Sequence, residues 1–130
     1  MDKEFVKHAE AIQLIALGFK EKCIATIDQT EYIHINGTKQ PARGAMCYYT
    51  VQCPTYSQAF RWFRDIHHID GWVVPYHTLA GKRYGLIVEG LSLEIDHDVD
   101  FDSFEEAELH LIKVLITALI SHNKEAESHG

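Results

Sequence analysis

The chain has 130 residues, of which 46% are apolar, and its 12 basic against 19 acidic side chains give a formal net charge of −7. This composition excludes a disordered chain, a collagen and a small disulfide scaffold, because a chain of this size buries about two-thirds of the surface that it exposes when unfolded. The longest apolar run, at 109–120, is shorter than the about 20 residues of a membrane span, and the N-terminus shows no pattern of a secretory signal.

We therefore expect a single cytoplasmic domain over residues 1–122, followed by a disordered polar tail at 123–130. The order of predicted elements is α-β-β-β-α-β-β-(β)-α, in which hairpins dominate and no strand-helix-strand unit recurs. This order predicts an α+β fold, with one antiparallel sheet of about five strands packed by three helices.

The first half of the chain predicts a helix, a hairpin and a third strand. Asp2 is suited to cap the first helix, and Gly18 is suited to end it in the left-handed conformation. The apolar positions of this helix follow a 3.6-residue period: Phe5, Ala9, Ile12 and Ala16. Alternating runs at 22–28 and 31–36 predict a β-hairpin, and an aromatic, β-branched run at 45–52 predicts the next strand.

The second half begins with a strong helix signal. A capping box that starts at Thr55 predicts the beginning of the second helix, which we expect Gly71 to end. Runs at 72–79 and 82–89 predict a second hairpin around a turn. Pro75 places the first of these strands at a sheet edge or a bulge, because proline has no N–H for the ladder.

The last helix is apolar around most of its circumference. A short strand at 91–95 is optional, after which a capping box at Ser103 predicts a helix that ends near His122. Such a helix needs two packing surfaces, one from the sheet and the other from the first helix or a second copy of the chain. We favour a homodimer, with these residues at its interface: Ile112, Ile116 and Leu119.

Basic and acidic residues are distributed unevenly. The segment 32–64 has four basic side chains and no acidic one, among several aromatic residues: Lys39, Arg43, Arg61 and Arg64. Basic and aromatic residues together are typical of single-stranded nucleic acid binding, although the net charge of the chain opposes it. The segment 84–112 has nine carboxylates and no lysine or arginine. It favours an acidic solvated loop over a calcium site, since the calcium-loop registers that begin at Glu94 and at Asp96 both fail.

Other motifs give no catalytic constellation. Cys23, Cys47 and Cys53 predict reduced, buried thiols rather than zinc ligands. Nucleophile elbows, glycine-rich phosphate loops, Cys-x-x-Cys pairs and His-x3-His pairs do not occur in the sequence. We therefore expect no enzymatic activity, no cofactor and no bound metal.

The second half of the chain contains four short motifs: Pro54-Thr55, 62–67 (WFRDIH), Val74-Pro75-Tyr76 and 101–108 (FDSFEEAE). As a set, over residues 54–119, they resemble a family of short uncharacterised proteins that is common in Bacteroidetes genomes, phages and mobile elements. The resemblance implies a small accessory protein and no particular activity.

Three polar residues of these motifs allow two interpretations. Arg64, His67 and Tyr76 form one polar patch in the first; in the second, which we favour, Arg64 pairs with the acidic start of the last helix and His67 bonds a backbone carbonyl. The sequence as a whole predicts a non-enzymatic protein-interaction module. The alternative is a nucleic-acid-binding accessory factor that uses the basic and aromatic residues.

Overall fold

The computed structural model describes residues 2–35, 50–90 and 100–129, and the chain divides into two compact units, Met1–Thr55 and Tyr56–Gly130. The fold is α+β, as predicted, and the described residues form three α-helices and antiparallel strands in the predicted order. The optional strand at 91–95 lies outside the described residues. Within the described ranges, no helix has the length and apolarity needed to cross a membrane.

The first unit contains one helix and a three-stranded antiparallel sheet. A 3-10 turn at Asp2–Glu4 precedes α1 (His8–Ala16), which is followed by three strands: β1 (Ala25–Asp28), β2 (Ile33–Ile35) and β3 (Thr50–Cys53). The strand order is β2-β1-β3, so the predicted first hairpin is confirmed. Residues 45–49 of the predicted third strand lie outside the described residues.

The predicted start of the first helix at Asp2 is wrong. Phe5 pairs with Thr55 as an isolated bridge, and the Val6 N–H donates to the Pro54 carbonyl over 3.0 Å, so this segment is held extended. The buried face of α1 also differs from the predicted stripe, because it consists of Glu10, Ala11 and Leu14 while Ile12 is exposed.

Gly18 ends α1 as predicted. It has a φ of +103°, and the next N–H, that of Phe19, donates to the Leu14 carbonyl over 3.0 Å. Glycine adopts this left-handed conformation without the steric cost that a side chain would bring.

The second unit contains two helices and a two-stranded antiparallel sheet: α2 (Tyr56–His67), β4 (Asp70–Thr78), β5 (Gly81–Glu89) and α3 (Phe104–His129). The predicted beginning of α2 after Thr55 is confirmed. Its predicted end at Gly71 is wrong, because His68 takes the left-handed conformation with a φ of +58° and Gly71 belongs to β4.

The five strands within the described residues form two sheets rather than the single sheet that we predicted. Pro75 gives a physical reason why β4 pairs with no second strand among the described residues. The N–H and C=O of Tyr84, the partner of Pro75, both bond to Phe101 and therefore point away from β4. Pro75 then directs its ring nitrogen to the outer edge of β4, where a further strand would need an N–H donor.

The last helix starts as predicted, with the Ser103 hydroxyl accepting the Glu106 N–H over 3.2 Å. It continues beyond the predicted end at His122, through the expected tail, to His129. Within the second unit, α3 contacts β4 and β5 as well as α2.

The side chains predicted to form the dimer interface are buried within the chain: Ile112, Ile116 and Leu119. Their burial gives the interface assignment no support, and that assignment stays a prediction. Self-association itself stays a prediction, as does the single domain over residues 1–122.

Candidate functional site

The β4–β5 hairpin has one face against α3 and one face directed away from it. A Cβ atom added to Gly71 would lie 3.0 Å from a methyl carbon of Leu111 and 3.3 Å from those of Leu115, so Gly71 is on the α3 side. Successive strand residues alternate between faces. The opposite side chains form what we call the outward face: Asp70, Trp72, Val74 and Tyr76 of β4 with Arg83, Ile87 and Glu89 of β5.

The centre of the outward face is apolar. Trp72 and Ile87 are directly opposite each other in the register and are 41% and 36% exposed. Val74 extends the same row toward Tyr76, which is 38% exposed. A tryptophan and an isoleucine side by side on a paired sheet form a contiguous apolar patch rather than isolated exposed residues.

A charged network closes one end of the outward face. The Tyr76 hydroxyl donates to Asp100 Oδ2 over 2.5 Å, and the Arg83 guanidinium pairs with both Asp100 and Asp102. Phe101 holds this segment in place through two backbone hydrogen bonds with Tyr84, of 3.0 and 2.9 Å. Because strand residues alternate, this pairing puts the two aspartates on the face of Arg83.

The network keeps its charges fixed at neutral pH. Hydrogen bonds from Arg83 and Tyr76 lower the pKa of Asp100 below its usual range. The hydrogen bond to Asp100 raises the pKa of Tyr76, so this side chain remains a neutral phenol. These groups are suited to anchor a surface, since an acid or base that works at neutral pH needs a pKa near 7.

At the other end of the outward face, two carboxylates are adjacent. Asp70 and Glu89 are directly opposite each other in the β4–β5 register. Like charges in this arrangement destabilise a sheet. The face therefore has an apolar centre between an ion-paired cluster and a pair of acidic residues.

Of the predicted binding residues that the structure describes, Tyr76 alone lies on this face. Arg61 and Arg64 are exposed on α2, and Arg64 Nε lies 3.5 Å from Asp65 rather than near the acidic start of α3. Tyr76 is about 20 Å further along β4 than Asp70, where the chain leaves α2. The patch of Arg64, His67 and Tyr76 is thus not formed, and Lys39 and Arg43 lie outside the described residues.

His67 ends α2 in a largely aromatic environment. Its ring centroid is 4.6 Å from that of Trp62 in an edge arrangement. Its Nε2 atom is buried and has no hydrogen-bond partner among the described residues, so this atom does not make the predicted bond to a carbonyl. Burial, together with the nearby His68 and His122, lowers the pKa of His67.

The lowered pKa predicts a pH-dependent stability. In the unfolded chain His67 titrates at about 6.5. Below that pH the unfolded state binds a proton that the folded state resists, so the free energy of unfolding falls as the pH falls. Urea denaturation is expected to give a lower free energy of unfolding at pH 5.5 than at pH 7.5. The substitution His67→Phe is expected to make this difference smaller. His77→Phe, at an exposed histidine of β4, is the control, and an equal reduction in both variants would contradict the assignment.

The described cysteines are buried, as predicted. Burial raises the pKa of Cys23 to about 11 and that of Cys53 to about 12, so both thiols are protonated at neutral pH. Cys47 lies outside the described residues. Within the described part of the chain, no three histidine, cysteine or acidic side chains are grouped closely enough to hold a metal ion.

Comparisons of the chain with protein-family models, with curated proteins and with solved structures found no match. We therefore infer the function from the residues of the outward face.

Proposed function

We propose that this chain is a cytoplasmic, non-enzymatic accessory protein that binds another protein through the outward face of the β4–β5 hairpin. The observation that carries the proposal is the exposed pair of Trp72 and Ile87 at the centre of that face. Tryptophan is among the residues that most often dominate binding at protein interfaces. A fixed sheet presents it with little entropy to lose on association.

The surroundings of this pair support the same function. The network of Tyr76, Arg83 and the two aspartates forms a polar rim beside the apolar centre. An apolar centre with a polar rim is the usual arrangement of a protein interface. The resemblance to short accessory proteins is consistent with a binding role. Nucleic acid binding stays an alternative prediction, for which the described residues provide Arg61 and Arg64 on α2.

Replacing both Trp72 and Ile87 by threonine tests the proposal. We expect recovery of the partner from the native cell to fall by at least about tenfold, because an interface tryptophan often contributes 2 kcal/mol or more. Threonine retains a high strand propensity, and both side chains are exposed, so the thermal melt should change little. The measurement is quantitative capture with tagged wild-type and variant chains.

Leu79→Thr is the matched control, since Leu79 is an exposed apolar residue in the turn between β4 and β5, outside the outward face. It should leave recovery of the partner unchanged. Equal recovery with wild type and with the double variant would contradict the proposal. Turnover of a substrate would also contradict the proposal if the double variant kept the full activity of the wild type.

A further inference from the structure

The outward face ends in a cross-strand pair of acidic residues that has no cationic partner among the described residues. Hydrogen-bonded and non-hydrogen-bonded pairs alternate along an antiparallel ladder, and Pro75 and Tyr84 form a non-hydrogen-bonded pair. Counting along the strands from that pair, Asp70 and Glu89 form a pair of the hydrogen-bonded type. The Cα atoms in such a pair are about 5.5 Å apart. Neither carboxylate has an ion pair within the described ranges, so the repulsion between them is not neutralised there.

The apolar pair of the face is the next step along the ladder. Trp72 follows Asp70 on the same face, and Ile87 lies beside Glu89 in the same way. Two residues along a strand correspond to about 7 Å. A cation held between the two carboxylates is therefore within reach of the Trp72 ring, where a guanidinium is further stabilised by stacking and by the ring electrons.

We propose that the partner inserts an arginine, next to an apolar residue, at the corner formed by Asp70, Glu89, Trp72 and Ile87. This inference rests on the proposed function and specifies the chemistry of the partner. A planar guanidinium bonds to carboxylates in a fixed fork and stacks flat on aromatic rings, whereas a lysine ammonium is a compact point charge with neither the fork nor the flat face. The adjacent apolar side chain covers Ile87.

The charge of the face argues against other occupants. The described side chains around it include four carboxylates against one guanidinium: Asp70, Glu89, Asp100 and Asp102, with Arg83. The chain as a whole has a net charge of −7. Phosphate groups of a nucleic acid or a lipid surface are repelled, and a second copy would place its acidic face against this one. A basic segment of another protein is attracted.

Short synthetic peptides serve as the probe. One has a central Arg-Leu-Arg flanked by glycine and serine, and in two others lysine or glutamate replaces both arginines. Amide NMR titration of the full chain measures affinity and locates the shifts. We expect the arginine peptide to shift the amides of Asp70, Trp72, Ile87 and Glu89, the lysine peptide to bind several-fold more weakly, and the glutamate peptide not to bind.

The double variant Asp70→Asn with Glu89→Gln removes the charges and keeps the shape of both side chains. It should bind the arginine peptide about tenfold more weakly, while its melting temperature is unchanged or higher because the repulsion is gone. Asp65→Asn, at an exposed carboxylate on α2, is the control and should leave the affinity unchanged. Weaker binding by a double variant whose stability is equal or higher would show that the two carboxylates contribute to binding rather than to folding.

The outcomes distinguish this inference from the proposed function. Affinity of the double variant within twofold of wild type, or equal binding of the glutamate peptide, would overturn the arginine inference. If either result is obtained while the double variant Trp72→Thr, Ile87→Thr still loses capture of the native partner, the proposed function stands and the arginine inference alone is wrong. If capture survives that substitution, both are wrong.

Discussion

Replacing Gly90 with alanine is expected to destabilise the chain by about 2–4 kcal/mol, through a backbone clash added to backbone strain. Gly90 has a φ of +135°, a conformation that side chains rarely adopt. An added Cβ would lie 2.7 Å from the His68 carbonyl oxygen and 3.0 Å from the Ile69 Cα. These are backbone atoms that no rotamer change moves away, so the end of β5 must separate from the start of β4.

Gly81→Ala is the matched control for this prediction. Gly81 has a similar φ of +120°, but an added Cβ there would meet no atom within 4 Å. The difference between the two variants in urea denaturation isolates the contact with His68 and Ile69. A Gly90 variant no less stable than the Gly81 variant would contradict the close approach that holds Glu89 beside Asp70.

Replacing Asp28 with alanine is expected to lower the free energy of unfolding by about 2–4 kcal/mol, because it leaves several donors of the β1–β2 turn unsatisfied. Asp28 is fully buried. Its Oδ1 accepts the Thr30 N–H and hydroxyl over 2.8 and 2.5 Å and the Tyr32 N–H over 3.2 Å. Its Oδ2 lies 3.2 Å from His34 Nε2.

The same carboxylate predicts an acid-sensitive first unit. Burial raises the pKa of Asp28, but the hydrogen bonds from Thr30, His34 and Tyr32 outweigh it and hold the pKa well below its usual range. The unfolded pKa is about 3.9. The stabilisation is therefore complete above about pH 4 and is lost as the pH falls further.

Asp28→Asn keeps an acceptor oxygen for the turn and removes the charge. It should cost less than Asp28→Ala and should weaken the dependence of stability on pH below about 4. Urea denaturation between pH 5 and 3 measures both effects. An asparagine variant that retains the full acid sensitivity of the wild type would show that another group is responsible.

Local signals predicted the elements whose ends are decided locally. Gly18 and Ser103 end or begin helices as expected, because their effect depends on the adjacent backbone alone. The start of α1 was wrong because Val6 bonds to Pro54, which is distant in sequence. Gly71 was assigned to a helix end, whereas its missing side chain makes room for Leu111 and Leu115.

The candidate site was predictable only in part. Tyr76 follows from the family resemblance, whereas neither Trp72 nor Ile87 is among the predicted binding residues. The covered face of the hairpin is decided by α3, through packing that no local pattern encodes. Asp100 joins Tyr76 and Arg83 only because Phe101 pairs with Tyr84, a contact between segments that are not adjacent in the sequence.

The most direct test of the outward face is site-specific photocrosslinking in the native cell. A benzophenone amino acid replaces Trp72 or Ile87 in separate chains, and the same group replaces Leu79 or Arg61 as positional controls. We predict one protein adduct shared by positions 72 and 87 and missing from 79 and 61. An adduct at 79 or 61 with none at 72 and 87 would contradict the account, and a nucleic acid adduct at 61 alone would support the alternative function.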